Sequence, residues 1–197
     1  MKLKKVVSFL FLVFCSTMAM ANETPYQLIT QVGDGLFADI KKVNAGGKAT
    51  PKEMRGIVKA RLMPHIDTRF VSRKLLGKHI KGLKRQEAIE FIGAVTHYLE
   101  VTYASALMQY KGQEVVFEQA PAPKDSKYAT VKAIIKENAG PDIDLHFKFR
   151  KGKDGQWKVY DLVAEGISLL SAKQKEIVSR ISQVGLAQVT TELNGKG

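Results

Sequence analysis

The spacing of apolar residues changes from helical to alternating near residue 112, and that change limits the fold more than any other feature of the chain. Up to Tyr110 apolar residues recur every three or four positions, as on an amphipathic helix. From Gln113 they alternate, as on a half-buried strand. Helices come first, then an antiparallel meander, then helices again. That order predicts an α+β domain with N-terminal helices packed on one face of a four-stranded or longer antiparallel sheet and C-terminal helices closing it.

Local signals place the elements. Thr24-Pro25-Tyr26-Gln27 is a capping box with proline at the first helical position. It opens a helix carrying Tyr26, Ile29, Gly33, Leu36, Phe37 and Ile40 on one stripe. Thr50-Pro51-Lys52-Glu53 repeats the signal after a loop over Asn44–Lys48, with Met54, Ile57, Val58, Arg61 and Leu62 as the second stripe. Pro64 ends or kinks that helix, and Asp67 caps a third, closed by Gly77. The longest helix is expected from Lys84 to Tyr110, with Gly112 as its cap. Strands are expected over Gln113–Gln119, Lys127–Ile135, Ile143–Arg150 and Gln156–Val163, with Pro121 and Pro123 stiffening the first connection and Ile167–Leu170 continuing the fourth strand. Ser171-Ala172-Lys173-Gln174 reads as a third capping box before a C-terminal helix that Gly185 breaks. No repeat or linker divides residues 22–197, which read as one domain.

The first 21 residues read differently. Lys2, Lys4 and Lys5 precede an apolar run from Val6 to Cys15, and Ala19-Met20-Ala21 supplies small residues at a cleavage site. That is the pattern of a secretory signal peptide, and its apolar core falls short of the roughly 20 residues needed to span a bilayer. Cleavage before Asn22 removes three positive charges and the only cysteine, leaving 176 residues with a charge of +9 in place of +12. The product is expected to be exported, soluble and without a disulfide. Its basic residues gather around the third helix (Arg69, Arg73, Lys74, Lys78) and the hairpin joining strands three and four (Lys148, Arg150, Lys151, Lys153). Nucleic-acid binding would interleave aromatics with such charges. Here the aromatics fall on the opposite, apolar faces, so no nucleic-acid partner is expected. The charge suits anionic membrane surfaces or acidic partners instead.

Catalytic and metal signals are weak. His65, His79, His97 and His146 lack any ligand spacing and read as solvated or structural. Gly166-Ile167-Ser168-Leu169 lacks the second glycine of a nucleophile elbow. No metal or cofactor is expected. Among the carboxylates, Asp161 alone sits in an apolar strand end, where it either bonds backbone amides at a bend or serves as a buried general base in an isomerase-type cavity. The apolar inventory is more informative: the long helix carries a face wider than one sheet strip needs, opposite Phe117, Val131, Leu145, Phe147, Phe149 and Trp157. Periodicity does not separate a filled core from a lined pocket.

The order of motifs resembles a known family. Leu62-Met63-Pro64-His65-Ile66-Asp67, Leu75-Leu76-Gly77-Lys78, the Tyr98–Tyr103 and Tyr110–Gln113 segments, and above all Trp157-Lys158-Val159-Tyr160-Asp161-Leu162-Val163-Ala164-Glu165-Gly166-Ile167-Ser168 look like the MlaC-type (toluene-tolerance) proteins over nearly the whole mature chain. The resemblance implies an NTF2-like sheet wrapped by helices and a monomeric periplasmic phospholipid carrier, not an enzyme. It also implies transfer of glycerophospholipid between an outer-membrane lipoprotein–porin complex and an inner-membrane ABC transporter with its membrane-anchored substrate-binding subunit, maintaining outer-membrane lipid asymmetry. On that implication the wide apolar stripe becomes a pocket lining. Phe91, Val95, Leu99 and Tyr103 of the long helix are then expected to hold the acyl chains. Val131, Leu145, Phe147, Phe149, Val159 and Ile167 are expected to face them from the sheet. A preformed pocket for two chains would exceed the ~1,000 Å³ upper end of small-molecule sites.

Overall fold

A computed structural model describes residues 23–119, 121 and 125–195. The expected signal peptide, and Pro123 of the expected stiff connection, lie outside the described residues. Helices α1 (Pro25–Ala45), α2 (Pro51–Arg61), α3 (Thr68–Leu76) and α4 (Arg85–Leu107) precede strands β1 (Glu114–Phe117), β2 (Tyr128–Lys136), β3 (Ile143–Lys151), β4 (Trp157–Ala164) and β5 (Ile167–Ser168), and helices α5 (Leu169–Val184) and α6 (Leu186–Asn194) close the chain. Two of the three expected capping boxes form. Thr24 accepts from the Gln27 amide at 3.2 Å and Thr50 from the Glu53 amide at 3.2 Å, and each N3 side chain bonds back to its cap's amide. Asp67 caps α3 through the Phe70 amide at 3.0 Å.

The strands pair antiparallel in chain order, β1 to β5. The register sets Phe147 between Val131 and Leu162, and Phe149 between Ala129 and Val159. A bulge at Tyr160 interrupts β4, since Lys148 pairs with Asp161 and Phe149 with Val159. Glu165 and Gly166 join β4 to β5 with φ of 48° and 76°, the two-residue turn with both central residues left-handed that suits a twisted hairpin. The other half of the β4 edge is covered by the chain leading into α3. Ile66 bridges to Val159, whose carbonyl accepts the Asp67 amide at 2.9 Å. The same Asp67 pairs with the Arg150 guanidinium, fixing α3 to β3.

Two expected boundaries move. Helix α4 stops at Leu107, not Tyr110, because the next residues turn away. Tyr110 continues the apolar spacing only by stacking on Phe37, 4.8 Å between ring centroids, while its hydroxyl donates to the Gln113 carbonyl at 3.0 Å. The C-terminal helix starts at Leu169 because Ser168, not Ser171, is its cap. The Ser171 amide is instead the donor, 3.0 Å from Ser168 Oγ. The run Ile167–Leu170 is thereby split between a short fifth strand and the first turn of a helix.

Apolar burial divides into three clusters. The first joins α3, α4, α5 and α6 through Val71, Leu75, Phe91, Val95, Ile177, Ile181, Val189 and Leu193. The second joins α1, α2 and α4 through Leu36, Ile40, Met54, Val58 and Ala104. The third seats α1 on the sheet through Leu28, Ile29, Val32, Val131, Phe149 and Trp157. Gly33 permits that last contact, since a Cβ there would come within 2.9 Å of the Phe117 ring.

Candidate functional site

Helix α4 contributes side chains to the first and second clusters and the sheet to the third, so the two bury their apolar groups separately. Leu99 is half-buried at the edge of the first cluster, and Tyr103, one turn further, at the edge of the second. Phe147 and Val159 are half-buried at the edge of the third. Leu62, at the bend before Pro64, packs on both the second and the third. Leu145 is half-buried beyond all three. Apolar side chains at such margins keep accessible surface while packed cores stand on either side. These half-buried residues of α4 and of the sheet are the candidates to line a seam between helices and sheet.

The ten expected chain-lining residues divide accordingly. Leu99, Tyr103, Leu145, Phe147 and Val159 keep surface. Phe91, Val95 and Phe149 are fully buried and Val131 is 1% exposed, so these four are packed core. Ile167 stands apart from the other nine. It is 62% exposed on the outermost strand, because the tight Glu165-Gly166 turn carries it outward instead of prolonging β4. Leu62 and Leu162 escaped the sequence reading. Leu62 was counted only as helix stripe, although the proline two residues on marks the bend, and Leu162 owes its place opposite Phe147 to the bulge.

Polar groups punctuate the seam. The Tyr103 phenol is surrounded closely enough that burial pushes its pKa up to about 12, with the charge of Asp161 adding to the effect. Nearby, the Lys173 ammonium lies 4.7 Å above the Tyr98 ring and 2.6 Å from the Glu176 carboxylate. Asp161 takes the structural role among its two expected ones. One carboxylate oxygen accepts from Ser168 Oγ at 2.8 Å and the other from the Leu170 amide at 3.0 Å, tying β4 to the first turn of α5. Of the histidines, His146 Nε2 lies 3.1 Å from the Asp144 carboxylate, and His79 Nε2 is 3.4 Å from Ser182 Oγ. Burial holds the His65 imidazole below its ordinary value. Among the described residues no group of His, Cys, Asp or Glu is placed to hold a metal ion, and no helix is long and apolar enough to cross a membrane.

The expected separation of charge from aromatics fails at Tyr98 and also beside both basic clusters. Arg150 and Lys74 lie over Phe70, at 4.5 and 5.4 Å from its centroid, and Lys151 lies 5.6 Å from that of Trp157. Trp157 is 8% exposed, so its face is not open to a stacking base. Two hollows flank the α1–α2 loop. One of about 430 Å³ is lined by Asp39, Lys42, Lys48 and Glu53 among others, the second of about 350 Å³ by Ala49, Met54, Leu107 and Met108 among others. Neither touches any of the ten expected residues, and each is under half of the ~1,000 Å³ expected for a preformed two-chain pocket.

Comparison with known proteins brings three findings. The family model described as "MlaC protein" matches residues 30–195. The intermembrane phospholipid transport system binding protein MlaC of Haemophilus influenzae is 32% identical over 191 residues, covering 95% of this chain and 89% of that protein. The phospholipid-binding protein from Ralstonia solanacearum, solved in complex with a phospholipid, superposes with a TM-score of 0.74 at 22% identity, over 85% of this chain and 94% of that one.

Proposed function

The chain belongs to the MlaC family, and from that premise we propose that it is a binding protein of intermembrane phospholipid transport, taking acyl chains into the seam between α4 and the sheet. The observation that carries this reading is the division of the interior: Leu99 and Tyr103 are only half-buried against the helical clusters, Phe147 and Val159 only half-buried against the sheet cluster, and the three clusters are separate. A protein with a filled interior would bury these residues against one another.

The energetics favour enclosure. Two chains of about fifteen carbons gain roughly 24 kcal/mol of apolar burial at about 0.8 kcal/mol per methylene. A free phospholipid therefore scarcely exists in water, and transfer requires the tails to slide from one apolar lining to another while donor and acceptor are docked. The seam widens to admit them, because it is bounded by separate clusters and not by one interlocked core. No bond is made or broken. The headgroup needs no enclosure and stays at the mouth, in reach of lysines and arginines. The setting is the periplasm, reached by cleavage of residues 1–21. The partners are an outer-membrane lipoprotein–porin complex and an inner-membrane ABC transporter with its membrane-anchored substrate-binding subunit.

Purification of the mature protein from its host, followed by solvent extraction and mass spectrometry, tests the reading. The expected result is glycerophospholipid in near-stoichiometric amount. A folded protein that yields no lipid, and takes up none from vesicles, overturns it.

A further inference from the structure

The sheet face turned away from α1 carries cations without partners. Val131, Phe147, Phe149 and Val159 belong to the face packed on the third cluster. Alternation and register therefore put Tyr128, Thr130 and Lys132 of β2, Lys148 and Arg150 of β3 and Lys158 of β4 on the other face. Helices α3 and α5 lie along β4 on that side, and the β2 half stays open: Tyr128 is 54% exposed, with Thr130 and Lys132 exposed beside it. Tyr128, Arg150 and Lys158 stand abreast, so two cations on adjacent strands face each other directly, an arrangement that is unfavourable by itself. The carboxylates of this face are already engaged. Asp67 holds Arg150, Asp161 accepts from Ser168 Oγ and the Leu170 amide, and Asp144 lies 3.1 Å from His146 Nε2. Lys132, Lys148 and Lys158, and Lys74 at the α3 margin, form no ion pair among the described residues. Aromatic rings frame the same corner. Phe70, Tyr160 and Tyr128 meet edge to face in series, 5.3 and 6.0 Å between centroids.

We propose that this open sheet face is the surface by which the protein rests on an anionic lipid bilayer. From Lys132 to Lys158 the cations cover on the order of 13 Å along the strands and 10 Å across them, a spread that suits an array of headgroups better than one carboxylate. The guanidinium that could fork a single carboxylate, Arg150, is already held by Asp67 and lies 4.5 Å above the Phe70 ring. Lysines near an anionic surface are attracted through the surface potential, and an exposed tyrosine ring sits well at headgroup level, its body apolar and its tip wet. Leu145, Phe147 and Val159 lie on the opposite face, so contact through this one leaves the proposed lining free. The inference rests on the carrier reading for its setting, since a lipid carrier works beside membranes, and adds to it a surface distinct from the cargo site.

Vesicle sedimentation tests it. Mature protein is spun with vesicles of phosphatidylcholine alone and of phosphatidylcholine mixed with phosphatidylglycerol, at low and high salt. The wild type is expected to bind the mixed vesicles, and to release them at high salt because surface charges are then screened. Neutralising a lysine at such a surface weakens binding about fivefold, so Lys132→Gln/Lys148→Gln is expected to bind about 25-fold more weakly. Tyr128→Ser should weaken it several-fold. Lys52→Gln/Lys59→Gln removes the same charge from exposed positions on α2 and should bind as the wild type does. Equal binding of the wild type to both vesicle types overturns the proposal and leaves the face to an acidic protein partner. An equal loss in the two double variants also overturns it, since net charge alone would then explain the attraction. Lipid extracted from the same samples reports the carrier reading separately: cargo present without vesicle binding sinks only this proposal, whereas a folded protein without cargo that takes up none from either vesicle sinks the carrier reading.

Discussion

Asp161 is the residue for which the sequence left two roles open, and its removal gives a quantitative test of the one the structure supports. Its carboxylate accepts from Ser168 Oγ at 2.8 Å and from the Leu170 amide at 3.0 Å, and the same Ser168 oxygen caps the Ser171 amide. Residue 161 is 8% exposed, so water reaches these donors poorly. Asp161→Ala leaves an amide and a hydroxyl without their charged acceptor and removes a negative charge from the start of α5. Hydrogen bonds to a charged group are worth about 1.5–3 kcal/mol each, and the helix-end charge about 0.5 kcal/mol. The unbonded donors recover part of this through local rearrangement, so a net loss of about 3 kcal/mol is expected. For a domain of this size that lowers Tm by roughly 6–12 °C. Asp161→Asn keeps one acceptor oxygen and should lose about half as much. Urea unfolding followed by circular dichroism measures both. Asp161→Ala within about 0.5 kcal/mol of the wild type would refute the reasoning. So would a cavity reaction abolished by Asp161→Asn in a protein of unchanged stability, since that is the behaviour of a general base.

Phe147→Gln is expected to lower co-purified lipid several-fold at a stability cost of about 1–2 kcal/mol, because its ring is half-buried at the seam, whereas Val95→Gln, in a fully packed position, should cost more than ~3 kcal/mol. Lipid content of the folded Phe147→Gln protein equal to wild type would move the seam elsewhere. Burial depresses the His65 pKa below its unfolded value of 6.5, with Lys158 adding to the effect and Glu23 opposing it. The unfolded chain therefore takes up the proton first, and stability that is complete above the unfolded pKa falls as pH drops through the lower folded one. Urea midpoints measured across this range should decline less in His65→Gln than in wild type; parallel curves would remove His65 from the acid response.

Where a signal was local, the sequence was readable. Thr24, Thr50 and Asp67 announce their helices because a cap and its acceptor are three residues apart, and the clean alternation of Ile143, Leu145, Phe147 and Phe149 announces β3. Reading failed where the deciding contact was distant. Tyr110 keeps helical spacing with Leu107 but rests on Phe37, on another helix, so the pattern outlasted the helix. Ser171 carries the local pattern of a capping box, yet Ser168 is the cap, held there by its bond to the distant Asp161. Phe91 and Leu99 lie on one stripe, yet one is sealed and the other is not. What separates them is which helices pack beside each turn, a property that composition and period do not carry.

The three-cluster interior also bears on cooperativity. A domain with one contiguous core melts as a unit, whereas one whose apolar groups are partitioned has seams along which parts can open at a free energy below that of global unfolding. On the carrier reading, acyl chains that lie in the seam touch all three clusters at once and act as the missing centre of the core. Loaded protein should then unfold in a sharper transition, with a larger heat-capacity change, than the stripped form, because the cargo's apolar surface is exposed together with the protein's. The lipid would be at once the freight and the piece that makes the fold cooperative. Giving it up to a partner would return the carrier to its more easily opened state, ready for the next load.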